Sequence, residues 1–373
     1  MINEIVQRQE KARDFMRRNG YSGLVVSTPQ NIQYFTDVTE PSMQTCGVVI
    51  ITQESEAVFA VLWVEKDTAV EQTKGVNVKT YTMASQGKEV LKVLKQLGGI
   101  QGPVAMDTTA MTELGDSFKC NLPEVEVVDV TEAIEEQIRS VKSETEIEFI
   151  RRACEIADAG MKTVAEAMKP GMTELEVASL AQHRMVTLGS DAIKHTIYVA
   201  SGPRARLIHP RATQKKISAG EIVTIDMGAV IHGYTSDIAR TFFIGKPPEQ
   251  LQKAYETLRG AQSIMLEKLC PGIAINEIQA IPREFAKTSE FPMVGPVVGH
   301  NIGLAVEEQP FLMRNGESNP EAKIEKNNIL AFFQCSVKQG KVLNLGIRLE
   351  DTVLVTESGA EMLTTYPREL LSI

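Results

Sequence analysis

Hydrophobic and polar positions change rhythm once along the chain. Over residues 21–139, short β-rich apolar runs (GLVVS, GVVIIT, AVFAVLWV, PVAMD, VEVVDV) alternate with helix-patterned stretches such as Gly87 to Leu97. That alternation is the signature of an α/β domain with a partly parallel sheet. From Ser143 the period becomes helical, with Ile147, Ile150, Ala153, Ile156 and Ala157 behind a Ser143/Glu146 capping box. The boundary is read near Val141, giving residues 1–140 and 141–373. The second part mixes a further capping box at Thr173 and Glu176 and a helix over 248–269 with strand-like runs near 193–200, 221–244, 329–337 and 346–355. PGMTELEVAS (170–179) and PGIAINEIQA (271–280) resemble each other, so either an internal duplication or chance similarity accounts for them.

Composition narrows the class. With 373 residues, 43% hydrophobic content and a mean hydropathy of −0.10, each part is long enough to bury a core. The longest apolar runs, Gly47 to Thr52 and Ala57 to Val64, fall well short of the roughly 20 residues that span a bilayer, and the charged N-terminus does not read as a signal peptide. No membrane partner and a cytoplasmic location are expected. Five scattered cysteines without a CxxC pair indicate free thiols, and a net charge of −9 leaves no basic stripe for nucleic acid.

Candidate chemistry concentrates in IVTIDMGAVIHGYTSDIARTFFIG, from Ile222 to Gly245, which reads as strand, turn and strand. A two-residue loop at Ile231 and His232 would set Asp226 directly opposite Asp237. Two acids so close among apolar neighbours repel and desolvate unless a cation or shared proton lies between them. The plainer alternative is one aspartate in a solvated turn and the other paired with Arg240. His300 in GHNIGL and Glu350 in GIRLEDTVLV add further nitrogen and oxygen donors. Each alone is weak, Glu350 beside Asp351 being compatible with an exposed strand edge, so the combination carries the argument. His183, His195 and His232 are read as packing or surface residues.

These motifs, with RSVKSETEIEFIRRA (139–153) and the ASGP run followed by a histidine (200–209), resemble the creatinase, prolidase and aminopeptidase P family of pita-bread hydrolases. GLVVSTPQNIQYFTD (23–37) resembles that family's accessory domain. The resemblance implies an α+β fold: an N-terminal α/β domain, then a curved antiparallel sheet with pseudo-two-fold halves. It implies Asp226, Asp237, His300 and Glu350 as metal ligands. His209, Arg348 and Tyr234 are implied to contact substrate, Arg348 near its carboxylate, and His209 is also taken as a catalytic residue that orients the substrate or transfers a proton.

Two departures alter the picture. Gln334 aligns with a family glutamate ligand, and Glu307 stands where the family has a histidine, so both are taken as altered catalytic positions. Two divalent cations bring four positive charges, whereas Asp226, Asp237 and Glu350 supply three negative ones. Glu307 either restores a charge, as ligand or base, or is an ordinary exposed glutamate. The implied cofactor is a divalent metal (Mn, Co, Zn or Fe), one ion rather than two, with a metal-free site as the alternative. The implied activity is hydrolysis of an amide or related C–N bond in a small substrate such as an Xaa-Pro dipeptide, by a homodimer. A creatinase-like non-peptidase and a non-catalytic binding protein are the rivals.

Overall fold

The computed structural model describes residues 2–191, 196–288, 291, 297–313, 322–335 and 345–373, the side chains of 283, 286, 297, 313 and 333–335 excepted. The chain forms two compact units, Met1–Arg139 and Ser140–Ile373.

In the first unit β1 (Gly23–Val26), β2 (Val48–Thr52), β3 (Val58–Leu62), β4 (Asn77–Tyr81), β5 (Val104–Met106) and β6 (Val127–Asp129) make one sheet in the order β4-β3-β2-β1-β5-β6. β1/β5, β3/β4 and β5/β6 run parallel, and β1/β2 and β2/β3 antiparallel. Continuous apolar runs such as VVIIT are buried throughout, as expected of strands covered on both faces. Asp107 caps the helix Thr108–Asn121 and also accepts from Ser27, Thr28 and Asn31. The carboxylate in this unit is therefore a structural cap.

The second unit is built around a nine-stranded sheet of β7 (Tyr198–Ser201), β8 (Ile222–Met227), β11 (Ile238–Phe243), β12 (Val297–Asn301), β13 (Glu308–Met313), β14 (Ile329–Cys335), β15 (Arg348–Thr356), β16 (Gly359–Met362) and β17 (Leu371–Ser372). Its main path is β13-β12-β14-β15-β11-β8-β7, antiparallel throughout. A short hairpin of β9 (Val230–Ile231) and β10 (Tyr234–Thr235) caps the β8/β11 end.

The two halves of this unit repeat each other. Helices Glu144–Ala167 and Glu174–Thr187 cover β7, β8 and β11, while Glu249–Lys268 and Ile275–Lys287 cover β12, β14 and β15. The backbone repeats in detail. Gly171 donates to Ile217 and Ile217 to Met172; Gly272 donates to Ile324 and Ile324 to Ile273. Thr173 and Ala274, one residue before each second helix, bridge Lys216 and Lys323. Matching hydrogen bonds at matching places favour duplication over chance for the two PG-containing segments. Both expected capping boxes form. Cys46, Cys120, Cys154 and Cys270 are free thiols, and among the described residues no helix is long and apolar enough to cross a membrane.

Candidate metal centre

The hairpin register differs from the one read off the sequence. His232 and Gly233, with φ of 47° and 77°, form the turn, and Ile231 pairs with Tyr234. A two-residue turn matching strand twist needs positive φ at both central positions, which favours the pair containing Gly233 over Ile231-His232. The shift sets Asp226 opposite Ala239 rather than Asp237. Ala239 also pairs with Glu350 on β15, so Asp226, Ala239 and Glu350 form one row across three strands. Small Ala239 separates the two acids. Asp237, two residues back, shares their face.

Asp237 lies where the ladder is interrupted. Gly228 is required here, because a Cβ at that position would lie 1.9 Å from the Ser236 carbonyl. The Thr352 hydroxyl accepts from the Asp237 N–H (3.0 Å) and donates to its carbonyl (2.7 Å). On the other flank the Thr241 hydroxyl does the same for Arg348, at 2.8 Å each way. The two threonines hold β11 and β15 around the single Ala239–Glu350 contact; the sequence reading passed over both.

His300 from β12 closes the cluster. Its Nε2 stands 3.6 Å from Glu350 Oε1 and 3.8 Å from Asp237 Oδ2, and one ligand atom from each of the three side chains lies within 4.8 Å of the others. Its Nδ1 is 3.1 Å from the Asn301 carbonyl. A carbonyl only accepts, so Nδ1 carries the proton and the Nε2 lone pair faces the carboxylates. Asp237 Oδ1 is buried without a hydrogen-bond partner. In their ionised forms all three groups are acceptors, and among the described residues no side-chain donor is placed between them, which fits a divalent cation; oxygen plus imidazole donors suit Mn, Co, Zn or Fe. Both Asp237 and Glu350 are buried rather than solvated, which excludes the exposed-edge alternative for Glu350. Arg240 pairs with Asp351 at 2.6 Å, on the opposite face.

Asp226 has another partner. Arg348 Nη1 lies 3.3 Å from its Oδ2, and Arg348 Nη2 donates to the Leu207 carbonyl. Arg348 is 2% exposed, so its guanidinium is committed to Asp226 and Leu207 instead of being open to a substrate carboxylate. Tyr234 likewise is buried, its hydroxyl donating to Glu146 at 2.9 Å; the capping-box glutamate takes the group expected to contact substrate. His209 is exposed and lies against Tyr198 with ring centroids 5.3 Å apart. Tyr198 pairs with Asp226, so His209 borders the acid-bearing strand.

Of the two altered positions, Glu307 is exposed, while its negative charge helps raise both Asp237 and Glu350. Its neighbour Glu308 is the buried one, 3.4 Å from equally buried Lys142. Asn301, also fully buried, donates to the Gln309 carbonyl. Gln334 belongs to β14, with its side chain outside the described residues. The register pairs position 333, not 334, with Glu350, and Gln334 with Leu349. The side chain of position 333 is likewise outside the described residues. His195 lies outside the described residues; His183 is exposed, and His232 packs on Phe149.

Burial first, then the charges of Glu350 and Asp226, hold Asp237 well above the usual carboxylate range; burial first, then Asp226, does the same for Glu350. Raised folded values make the neutral forms a source of stability that is complete below their unfolded values and lost as pH rises through the folded ones. A bound cation reverses the preference, since it takes the ionised forms. We expect the melting temperature in chelator to fall as pH rises above the ordinary carboxylate range, and the gain from added Mn²⁺ to grow in the same direction. Differential scanning fluorimetry checks this; a Mn²⁺ gain independent of pH contradicts it.

A curved antiparallel sheet carrying a buried carboxylate and imidazole cluster, in a unit of duplicated halves, defines the pita-bread class of hydrolases. The chain belongs to metallopeptidase family M24, whose model matches residues 148–357, with a Creatinase/Prolidase N-terminal domain over residues 8–141. It is 32% identical to the Xaa-Pro dipeptidase of Pyrococcus furiosus, covering 98% of this chain and 99% of that one. The Xaa-Pro dipeptidase from Bacillus anthracis superposes with a TM-score of 0.88 at 26% identity, covering 99% and 100% of the two chains. The prolidase from Pyrococcus horikoshii gives 0.86 at 27%, covering 98% and 100%.

Proposed function

We propose that this chain is a metal-assisted dipeptidase acting on Xaa-Pro dipeptides, with Asp237, His300 and Glu350 holding the cation. The observation that carries the reading is the donor-free meeting of their three ligand atoms within 4.8 Å. A divalent cation there supplies Lewis acidity toward the scissile carbonyl and lowers the pKa of the attacking water. The protein's own contribution is to fix those donors: Thr352 anchors Asp237, the Asn301 carbonyl sets the His300 tautomer, and His209 borders the substrate side.

Charge favours one tightly held ion. Arg348 compensates Asp226, leaving Asp237 and Glu350 to balance a single divalent charge. Arg348 also balances Asp226 without any cation, and this favours the second reading, a metal-free creatinase-like C–N hydrolase that works with a histidine and carboxylates. The proposal extends to a cytoplasmic homodimer, as the family resemblance in the sequence implies, and light scattering tests its mass.

Elemental analysis of protein purified without chelator, paired with hydrolysis of an Xaa-Pro dipeptide with and without added Mn²⁺ or Co²⁺, separates the readings. We expect about one equivalent of metal and metal-dependent cleavage. Metal-free protein that hydrolyses a guanidino compound would establish the second reading, and protein inert toward both substrates would reduce the site to a binding function.

A further inference from the structure

We propose that Glu174 is the positioning residue for the loop that carries His209, closing its base like a clasp. Glu174 opens the helix Glu174–Thr187 and is fully buried. A carboxylate at a helix start ordinarily rests in solvent near the free N–H groups. This one instead gathers both ends of a distant loop. Its Oε1 accepts from the Ser201 N–H (2.8 Å) and hydroxyl (3.0 Å), and its Oε2 from the Thr213 N–H (3.1 Å) and hydroxyl (2.7 Å). Arg204, within the loop, donates its Nε to Oε2 at 3.1 Å and crosses with Nη2 to the Arg211 carbonyl at 2.7 Å.

The loop so closed touches the acid-bearing strand at two points. His209 lies against Tyr198, Asp226's cross-strand partner, and the Leu207 carbonyl takes Arg348, Asp226's ion-pair partner. Glu174 touches none of these groups itself; it acts on them by fixing the span between residues 201 and 213. Its charge is what allows both oxygens to act as acceptors toward five donor groups. An amide in its place turns one acceptor into a donor that faces N–H groups.

The consequence for turnover rests on the dipeptidase reading, whereas the clasp itself is tested without it. Trypsin sites at Arg204, Arg206 and Arg211 fall inside the loop. In Glu174→Gln we expect cleavage there to speed about 10-fold or more, as the loop opens locally while the rest of the unit keeps its melting temperature. KM for the Xaa-Pro dipeptide rises about 10- to 100-fold with a smaller change in kcat. The double variant with His209→Ala should fall short of the sum of the two single effects, because His209 is one of the two groups through which Glu174 acts. Thr213→Val, which removes one hydroxyl donor, should give about a 5-fold effect on cleavage and guards against a misfolded glutamine variant. Unchanged trypsin resistance in both variants overturns the clasp, as does full additivity with His209→Ala. Faster loop cleavage in a protein whose wild type ignores every Xaa-Pro dipeptide would uphold the clasp and refute the dipeptidase reading instead.

Discussion

Asp237→Asn is expected to remove bound metal and to lower kcat/KM by more than the roughly 10- to 100-fold that loss of an outer-shell partner costs. The amide keeps the shape and the Thr352 anchor, which grips the main chain, but it takes away one of the two charges that balance the cation. Its NH₂ can then donate to the His300 Nε2 lone pair, now 3.8 Å from Asp237 Oδ2, and so block the third ligand atom as well. Stability should move the other way. Asp237 is buried beside Glu350, and burial first and then that neighbour push its pKa well above the usual carboxylate range, which favours the neutral form. In chelator the variant should therefore be as stable as the wild type or more so, most visibly at high pH. Metal content by elemental analysis and melting temperature in chelator test the two halves; stoichiometric metal in the variant would remove Asp237 from the ligand set.

Phe333→Glu is expected to raise affinity for a divalent cation about 10- to 1,000-fold, or to admit a second equivalent, by the Coulomb energy of one added charge a few ångströms away at intermediate dielectric. Position 333 is Glu350's cross-strand partner, while Leu330 and Phe332 on the same strand pack into the apolar core beneath the helices. By the period of two along a strand, 333 belongs to the row of the acids and 334 to the other face. Gln334→Glu should leave metal affinity unchanged and cost stability. Without metal, Phe333→Glu should destabilise the protein as pH rises, because another acid joins a cluster whose carboxyl pKa values burial already raises. Isothermal titration with Mn²⁺ of both variants decides; a stronger response from the 334 variant would show the register argument to be wrong.

Asp226, Asp237, His300 and Glu350 stand out in the sequence, but the pairing of the first two does not follow from it. A turn read one residue early sets Asp226 against Asp237, and only the positive φ values of His232 and Gly233 correct it. Glu307 was open between ligand or base and an ordinary exposed residue; it is exposed, and the adjacent Glu308 is the acid that folding buries against Lys142. Neighbouring residues of like chemistry in a loop carry no period from which to tell inside from outside. Arg348 was assigned to substrate on resemblance, and burial assigns it to Asp226. Thr241, Thr352 and Glu174 escaped notice because a threonine in a strand and a glutamate at a helix start are common there for local reasons alone.

What the sequence determined by itself was everything with local or periodic causes: the change of rhythm near Val141, the two capping boxes, the strand and turn pattern around the acids, and the presence of Asp, His and Glu in ordered motifs. The tertiary structure decided which acids share a row, which arginine neutralises one of them, and which nitrogen of His300 faces the others. The physical reason is that hydropathy and capping act over a few residues, whereas a charge's partner is set by strand register. A shift of a single residue, almost without consequence for the hydrophobic pattern of strands buried on both faces, exchanges that partner for another.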